Sequence, residues 1–254
     1  MSTLVNSDWL PISLPLELSA DVVHVVRLKL DLPLEHWLPF SDVLSEEERQ
    51  RAARFRFDEP RRQFVTCRGT LRKLLGSLCR ISPNAIEFQY GPHGKPGLMV
   101  RQADSRISEL QFSVSHSGSL GLIALSVGKA VGVDVEEFSP AVKHHQLAER
   151  YFAPPEAQEL KRLPAELQLS GFYRGWTCKE AYIKALGTGL SHSLSSFQVT
   201  IDPARPASLC HIDGKPREPD RWTAMALDVG ARYAAALMIA EPNCRVQCWD
   251  WSVT

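Results

Sequence analysis

Val131, Val133 and Val135 alternate with Gly132, Asp134 and Glu136, and this period of two predicts a strand with both acids on one face. Comparable apolar runs predict strands over 21–30, 85–90, 110–115, 121–127 and 130–136, then over 197–201, 222–227, 232–239 and 246–251. Elsewhere the spacing is helical. Phe64, Cys67, Leu71, Leu74, Leu75 and Leu78 recur at offsets suited to one helix face, in a segment that Pro60 opens at a tolerated position. Arg61, Arg68 and Arg72 fall on another face of that helix, which reads as basic and exposed. Ser45 followed by Glu48 is a capping-box pattern for a helix running to about Phe57. Further helices are expected over 141–152, 155–163 and 167–186, the last stopped by Gly187.

Each half of the chain therefore carries a main helix accompanied by several strands, with no Pro/Gly/Ser linker between the halves. The expectation is one α+β unit of two similar lobes, each a main helix packed on a small, mostly antiparallel sheet. Residues 1–20 read as a leader segment, 21–129 as the N-terminal lobe and 130–254 as the C-terminal lobe. Clear sequence repetition is absent.

No apolar run approaches the roughly 20 residues that span a bilayer. The N-terminus lacks the basic start and continuous apolar core of a signal peptide. A cytoplasmic location follows as the expectation, with Cys67, Cys79, Cys178, Cys210, Cys244 and Cys248 reduced. Cys244 and Cys248 have no second Cys or His pair at zinc spacing. Formal net charge is zero, which argues against a general nucleic-acid binder. The distribution is uneven, however: from Arg49 to Arg80 ten basic residues face only Asp58 and Glu59, and this local surplus calls for an anionic partner.

The candidate chemistry lies in two segments, Gly132–Glu136 and Trp176–Lys184. On a helix Glu180 and Lys184 are four apart and share a face. Together the segments offer three carboxylates and an ammonium, the hard oxygen set that Mg²⁺ prefers with room left for a phosphate; Mn²⁺ suits the same donors. Taken separately, a half-buried edge strand and a solvated helix face explain the same patterns. Phe112–Gly118 ends a strand in small residues around His116, where backbone amides and an imidazole could meet a phosphate, or where the histidine is only a turn residue. It is not a Ser–His catalytic pair, since no Gly-x-Ser-x-Gly elbow follows a strand. Gly94 and Pro96 hold Lys95 on a stiff loop that could also be a bare turn.

The order basic helix, Gly-Lys-Pro loop, Ser-His-Ser-Gly turn, Gly-Val-Asp-Val-Glu strand and Trp-x-x-Lys-Glu-Ala-x-x-Lys-Ala helix resembles the Sfp-type 4′-phosphopantetheinyl transferases across roughly residues 40–200. The resemblance implies a pseudo-twofold monomer with its site between the lobes. It implies that coenzyme A (CoA) donates its phosphopantetheine arm to a serine of an apo acyl- or peptidyl-carrier protein, releasing 3′,5′-ADP. By the family's pattern Asp134, Glu136 and Glu180 would surround Mg²⁺, Glu180 would take the serine proton, and Lys184 would neutralise charge on the leaving phosphate. His116 and Ser115 would contact the CoA phosphates, Arg51 and Arg54 would bind the 3′-phosphate, and Lys95 would lie near the nucleotide. Some relatives carry a lysine where this chain has Glu48, and Glu156 matches a family acid whose role could be helix capping. A non-catalytic relative that only binds CoA or a carrier would be marked by loss of Asp134, Glu180 or Lys184; all three are present.

Overall fold

The computed structural model describes residues 8–99 and 105–252. In chain order the elements are β1 (Leu10–Pro11), β2 (Val22–Lys29), α1 (Leu34–Trp37), α2 (Glu46–Ala53), α3 (Asp58–Cys79), β3 (Phe88–Tyr90), β4 (Pro96–Leu98), α4 (Ser105–Ser108), β5 (Leu110–Ser117), β6 (Leu120–Val127) and β7 (Val131–Glu137). They continue with α5 (His144–Tyr151), α6 (Pro154–Arg162), α7 (Ala165–Leu186), β8 (Phe197–Val199), β9 (Leu209–Ile212), β10 (Thr223–Ala226), β11 (Tyr233–Ile239) and β12 (Arg245–Asp250). This is the α+β arrangement of helices on small sheets that the sequence led us to expect.

Two sheets carry the molecule. The larger has the order β1-β12-β2-β6-β5, the smaller β10-β11-β7. In the first, β5, β6 and β2 are antiparallel, and β12 joins parallel to β2 with β1 parallel beside it. The last strand, β12, falls within the 130–254 stretch expected to form the C-terminal lobe yet lies in the first sheet, and Leu10–Pro11 from the leader extends that sheet. Residues 1–7 of the leader lie outside the described residues.

Alternation along the strands sorts residues into layers. Val26, Leu28, Phe112, Ile123 and Leu125 of the first sheet pack under Leu71, Leu74, Leu75 and Leu78 of α3. Val23, Val25 and Leu122 meet Val131, Val133 and Val135 of β7, with Leu237, in a core between the sheets. Ala236 and Met238 on the other face of the second sheet pack against Phe172, Cys178, Ala181 and Tyr182 of α7. The order is helix, sheet, sheet, helix. At the crossing of α7 over β7 the helix backbone comes so close that a side chain on Gly132 would run into the Ala181 carbonyl. Gly187 ends α7 at φ 69°, its N–H donating to the Ile183 and Lys184 carbonyls, as the sequence expectation required.

The boundaries differ in places. The helix capped by Ser45 stops at Ala53 rather than near Phe57. The strand expected from 85 begins at Phe88, because Pro83–Ala85 forms a 3-10 turn. The helix expected from 141 begins at His144, since Pro140 sits in a turn closed by Val142 N–H on the Ser139 carbonyl. Strand β9 escaped the sequence reading because only its ends, Leu209 and Ile212, are buried. The described cysteines are all free thiols. Among the described residues no helix is long and apolar enough to cross a membrane.

Candidate active site

The acids of β7 face α7. Asp134 is 3% exposed; its Oδ1 accepts from Lys184 Nζ at 2.6 Å and from Ser115 Oγ at 2.8 Å, while Oδ2 is buried with no hydrogen-bond partner. Lys184 Nζ also donates to Ser115 Oγ at 2.9 Å. Glu136, two residues along the same strand face, accepts from Ser117 Oγ at 2.9 Å, with the Trp176 indole as a further donor. Glu180 stands half-buried one turn before Lys184 on α7. Burial raises the pKa of each carboxyl; Asp134 raises Glu136 and Glu180 further, and Glu136 adds to the effect on Glu180. Lys184 opposes the shift in all three.

Three acids crowded against one lysine are short of positive charge. Among the described residues no three His, Cys, Asp or Glu side chains form a ready ion cage. The donor chemistry nonetheless fits a hard divalent cation: the donors are all carboxylate oxygens, and a buried Asp134 oxygen lacks a partner. An uncompensated buried acceptor of that kind costs free energy unless a ligand satisfies it.

The basic region lies on α2 and α3. Glu48 organises it. Its Oε2 accepts from the Ser45 N–H at 3.0 Å, completing the capping box, and from Arg72 Nε at 2.6 Å, while Oε1 lies 3.5 Å from Arg68 Nε. Arg72 is 2% exposed and also donates to the Pro83 and Ile86 carbonyls. Arg61 is exposed as expected and Arg68 is partly so, but the reading is corrected for Arg72: the 83–86 turn covers it, and the buried charge is paired with Glu48. Glu48 is thus the strut that ties α2 to α3.

Two cavities open beside this strut. One of about 390 Å³ is lined by Arg51, Arg54, Phe64, Arg68, Phe88, Tyr90 and others. Its neighbour of about 230 Å³ is lined by Arg51, Phe64, Cys67, Arg68, Leu71, Pro96, Val114 and His116. The Arg51 guanidinium lies 4.9 Å from the Phe64 ring centre and that of Arg68 lies 4.8 Å from Phe88. Arg68 Nη1 is buried without a hydrogen-bond partner. Sequence reasoning did not single out Arg68 as a site residue, although its spacing four before Arg72 and its place in the basic run were the available signal. Desolvation lowers the His116 pKa, and Lys184 and Arg51 push the same way. His116 is an exposed residue of β5 on the wall of the basic cavity, within electrostatic reach of Lys184.

The structure does not bring Lys95 into those cavities. Its ammonium donates to the carbonyls of Val131 at 3.2 Å and Ala185 at 3.0 Å, and burial lowers its pKa to about 8. It ties the 91–97 loop to the C-terminal turn of α7, where unpaired carbonyls welcome a cation. Glu156 also stands apart. It caps α6 through the Ala153 N–H at 2.8 Å, accepts from Val199 N–H at 2.7 Å and pairs with Lys179 at 2.7 Å, all inside the core around α7. Lys179 in turn donates to the Leu194 and Phe197 carbonyls. Burial raises Glu156 and lowers Lys179, while their contact pulls both back.

Residues 130–238 match the family model of the 4′-phosphopantetheinyl transferase superfamily, and residues 33–127 match that of the 4′-phosphopantetheinyl transferase N-terminal region. The chain is 35% identical over 248 residues to the 4′-phosphopantetheinyl transferase HetI of Nostoc sp., covering 98% of this chain and 100% of that one. It is 35% identical over 176 residues to the 4′-phosphopantetheinyl transferase psf-1 of Bacillus pumilus, covering 69% and 70%. Against the 4′-phosphopantetheinyl transferase of Bacillus subtilis it is 28% identical over 200 residues, covering 79% and 84%. Among solved structures the Thermotoga maritima holo-(acyl-carrier-protein) synthase matches 45% of this chain and 64% of its own, at 25% identity and a TM-score of 0.36. The chain belongs to the 4′-phosphopantetheinyl transferase family, and the phosphopantetheinyl transferase activity expected from its motifs stands on that membership.

Proposed function

We propose that the protein moves the 4′-phosphopantetheine arm of CoA onto a serine hydroxyl of an apo acyl- or peptidyl-carrier protein, in a reaction that requires Mg²⁺ or Mn²⁺. The observation that carries this reading is that His116, which lines the cation-lined cavity with Arg51 and Arg68, is also within electrostatic reach of Lys184, the lysine bonded to Asp134 in the acid cluster. CoA carries two phosphate groups to match: a 3′-phosphate on the ribose suited to the arginines, and a pyrophosphate between ribose and pantetheine whose charge a cation held by the acids would offset.

In this reading Arg51, with Arg54 and Arg68 on the same walls, grips the 3′-phosphate, since a guanidinium presents planar paired donors to phosphate oxygens. His116 donates to the pyrophosphate. Asp134, Glu136 and Glu180 would hold the metal ion, which when bound supplies Lewis-acid neutralisation of the pyrophosphate. Glu180 takes the proton of the incoming serine; its raised pKa makes it a stronger base than an ordinary surface carboxylate. Lys184 spends two of its three N–H groups on Asp134 and Ser115, and the third stabilises charge building on the leaving phosphate. The nucleophile belongs to the partner. One chain supplies both the basic cavity and the acids, which favours action as a monomer; the cytoplasm is the compartment this reading assigns.

The test is intact-mass spectrometry of an apo-acyl carrier protein incubated with this protein, CoA and Mg²⁺, beside an EDTA control. A metal-dependent gain of one phosphopantetheine is expected. CoA binding without transfer to any of several apo-carriers would favour a non-catalytic binder.

A further inference from the structure

The two sheets meet where β5 runs beside β7, and serine side chains bridge them. Ser113 Oγ accepts from Val133 N–H at 3.1 Å, Ser115 Oγ from Val135 N–H at 3.4 Å, and Ser117 Oγ from Glu137 N–H at 3.1 Å. The register is constant, one serine per two residues on each strand, as the period of a strand requires. A hydroxyl that accepts from the neighbouring backbone still has one proton to give. Ser115 gives it to Asp134 Oδ1 at 2.8 Å and Ser117 to Glu136 Oε2 at 2.9 Å. Opposite Ser113 the equivalent position is Gly132, which has no side chain to receive it.

We propose that Ser115 and Ser117 are positioning residues that aim the Asp134 and Glu136 carboxylates, Ser113 serving only the seam. The inference rests on the metal reading given under Proposed function. Each hydroxyl is fixed by a backbone N–H of β7, so its proton points at a carboxylate carried by the same strand. The acid is then held to one rotamer by the opposite lobe. Asp134 keeps Oδ2 without a hydrogen-bond partner while its other oxygen is anchored, as a ligand with one free oxygen would be. Removing a hydrogen-bond partner of a metal ligand typically costs about 10- to 100-fold in metal affinity. Ser117 is the cleaner probe, because Ser115 also accepts from Lys184.

The experiment titrates Mn²⁺ against the full chain by electron paramagnetic resonance of the free ion, without turnover, for wild type, Ser117→Ala, Ser117→Thr, Ser113→Ala and Asp134→Asn, with Tm measured alongside. Ser117→Ala is expected to weaken Mn²⁺ binding roughly tenfold. Ser117→Thr, which keeps the hydroxyl, is expected to restore it, and Ser113→Ala to leave it unchanged while lowering Tm as much as Ser117→Ala does. Equal Mn²⁺ affinity for Ser117→Ala and Ser113→Ala would overturn the inference, as would failure of threonine to restore binding. Wild-type Mn²⁺ binding by Asp134→Asn would sink the metal reading itself; weak binding by that variant with normal binding by Ser117→Ala would sink only the positioning role.

Discussion

Lys184 Nζ lies 2.6 Å from Asp134 Oδ1, joining a helix to a strand fifty residues earlier in the chain, and Ser115 of β5 in the other sheet bonds both groups. Charge, strand and seam converge on one oxygen. Asp134→Asn keeps the shape of the side chain and removes the charge that Lys184 neutralises. Transfer to an apo-carrier is expected to fall at least about a hundredfold, the scale set by losing one preorganised electrostatic group. Circular dichroism should show a folded protein, because the amide occupies the same space; near-normal turnover would remove Asp134 from the site.

Arg51 and Arg68 share the walls of both cavities. Losing one charge-assisted contact is worth about 1.5–3 kcal/mol, or roughly 10- to 100-fold in affinity. Arg51→Ala should therefore weaken CoA by that factor and 3′-dephospho-CoA much less, as read by calorimetry. Equal losses for the two ligands would take Arg51 off the 3′-phosphate.

Glu156 and Lys179 form an ion pair within a few per cent of complete burial. Glu156→Gln leaves the Lys179 ammonium in the core without its counter-charge, and breaking such a pair costs about 3–5 kcal/mol. Urea unfolding should show that loss. The double variant Glu156→Gln/Lys179→Met should lose less than the sum of the singles, since it removes the stranded charge as well. Additive losses would mean the pair is not coupled.

The His116 pKa lies below its ordinary value because partial desolvation in the cavity wall and the Lys184 and Arg51 charges disfavour the imidazolium. A phosphate beside it acts in the opposite direction. An NMR titration should find the His116 pKa below 6.5 in the free protein and higher with CoA bound. A pKa that CoA leaves in place would separate this histidine from the phosphates.

Lys95, lowered to about 8, would titrate near 10.4 once unfolded. Between those values the unfolded chain binds more protons than the folded one, so stability rises with pH across that window. Relative to Lys95→Met, which lacks the group, the wild type should gain stability as pH climbs from about 8 to about 10. Parallel denaturation profiles for the two proteins would contradict the burial of this ammonium.

Much of this was written locally. The alternation of Val131, Val133 and Val135 with Asp134 and Glu136 set the two faces of β7, the Ser45 and Glu48 pair opened α2, and Gly187 closed α7, because each depends on neighbours a few residues away. The family motifs, read in order, also named the acids and the lysine. The tertiary structure alone decided what covers each face. The spacing of Arg72 put it on the basic side of α3, yet only the packing of the 83–86 turn buried it against Glu48. Lys95 looked like a loop cation until α7 brought the Ala185 carbonyl to it. The serines of β5 carried no visible sign that they would stitch two sheets and hold two carboxylates. Periodicity records which side of an element is apolar, whereas the partner that arrives there depends on how layers distant in sequence stack, and no local pattern encodes that meeting.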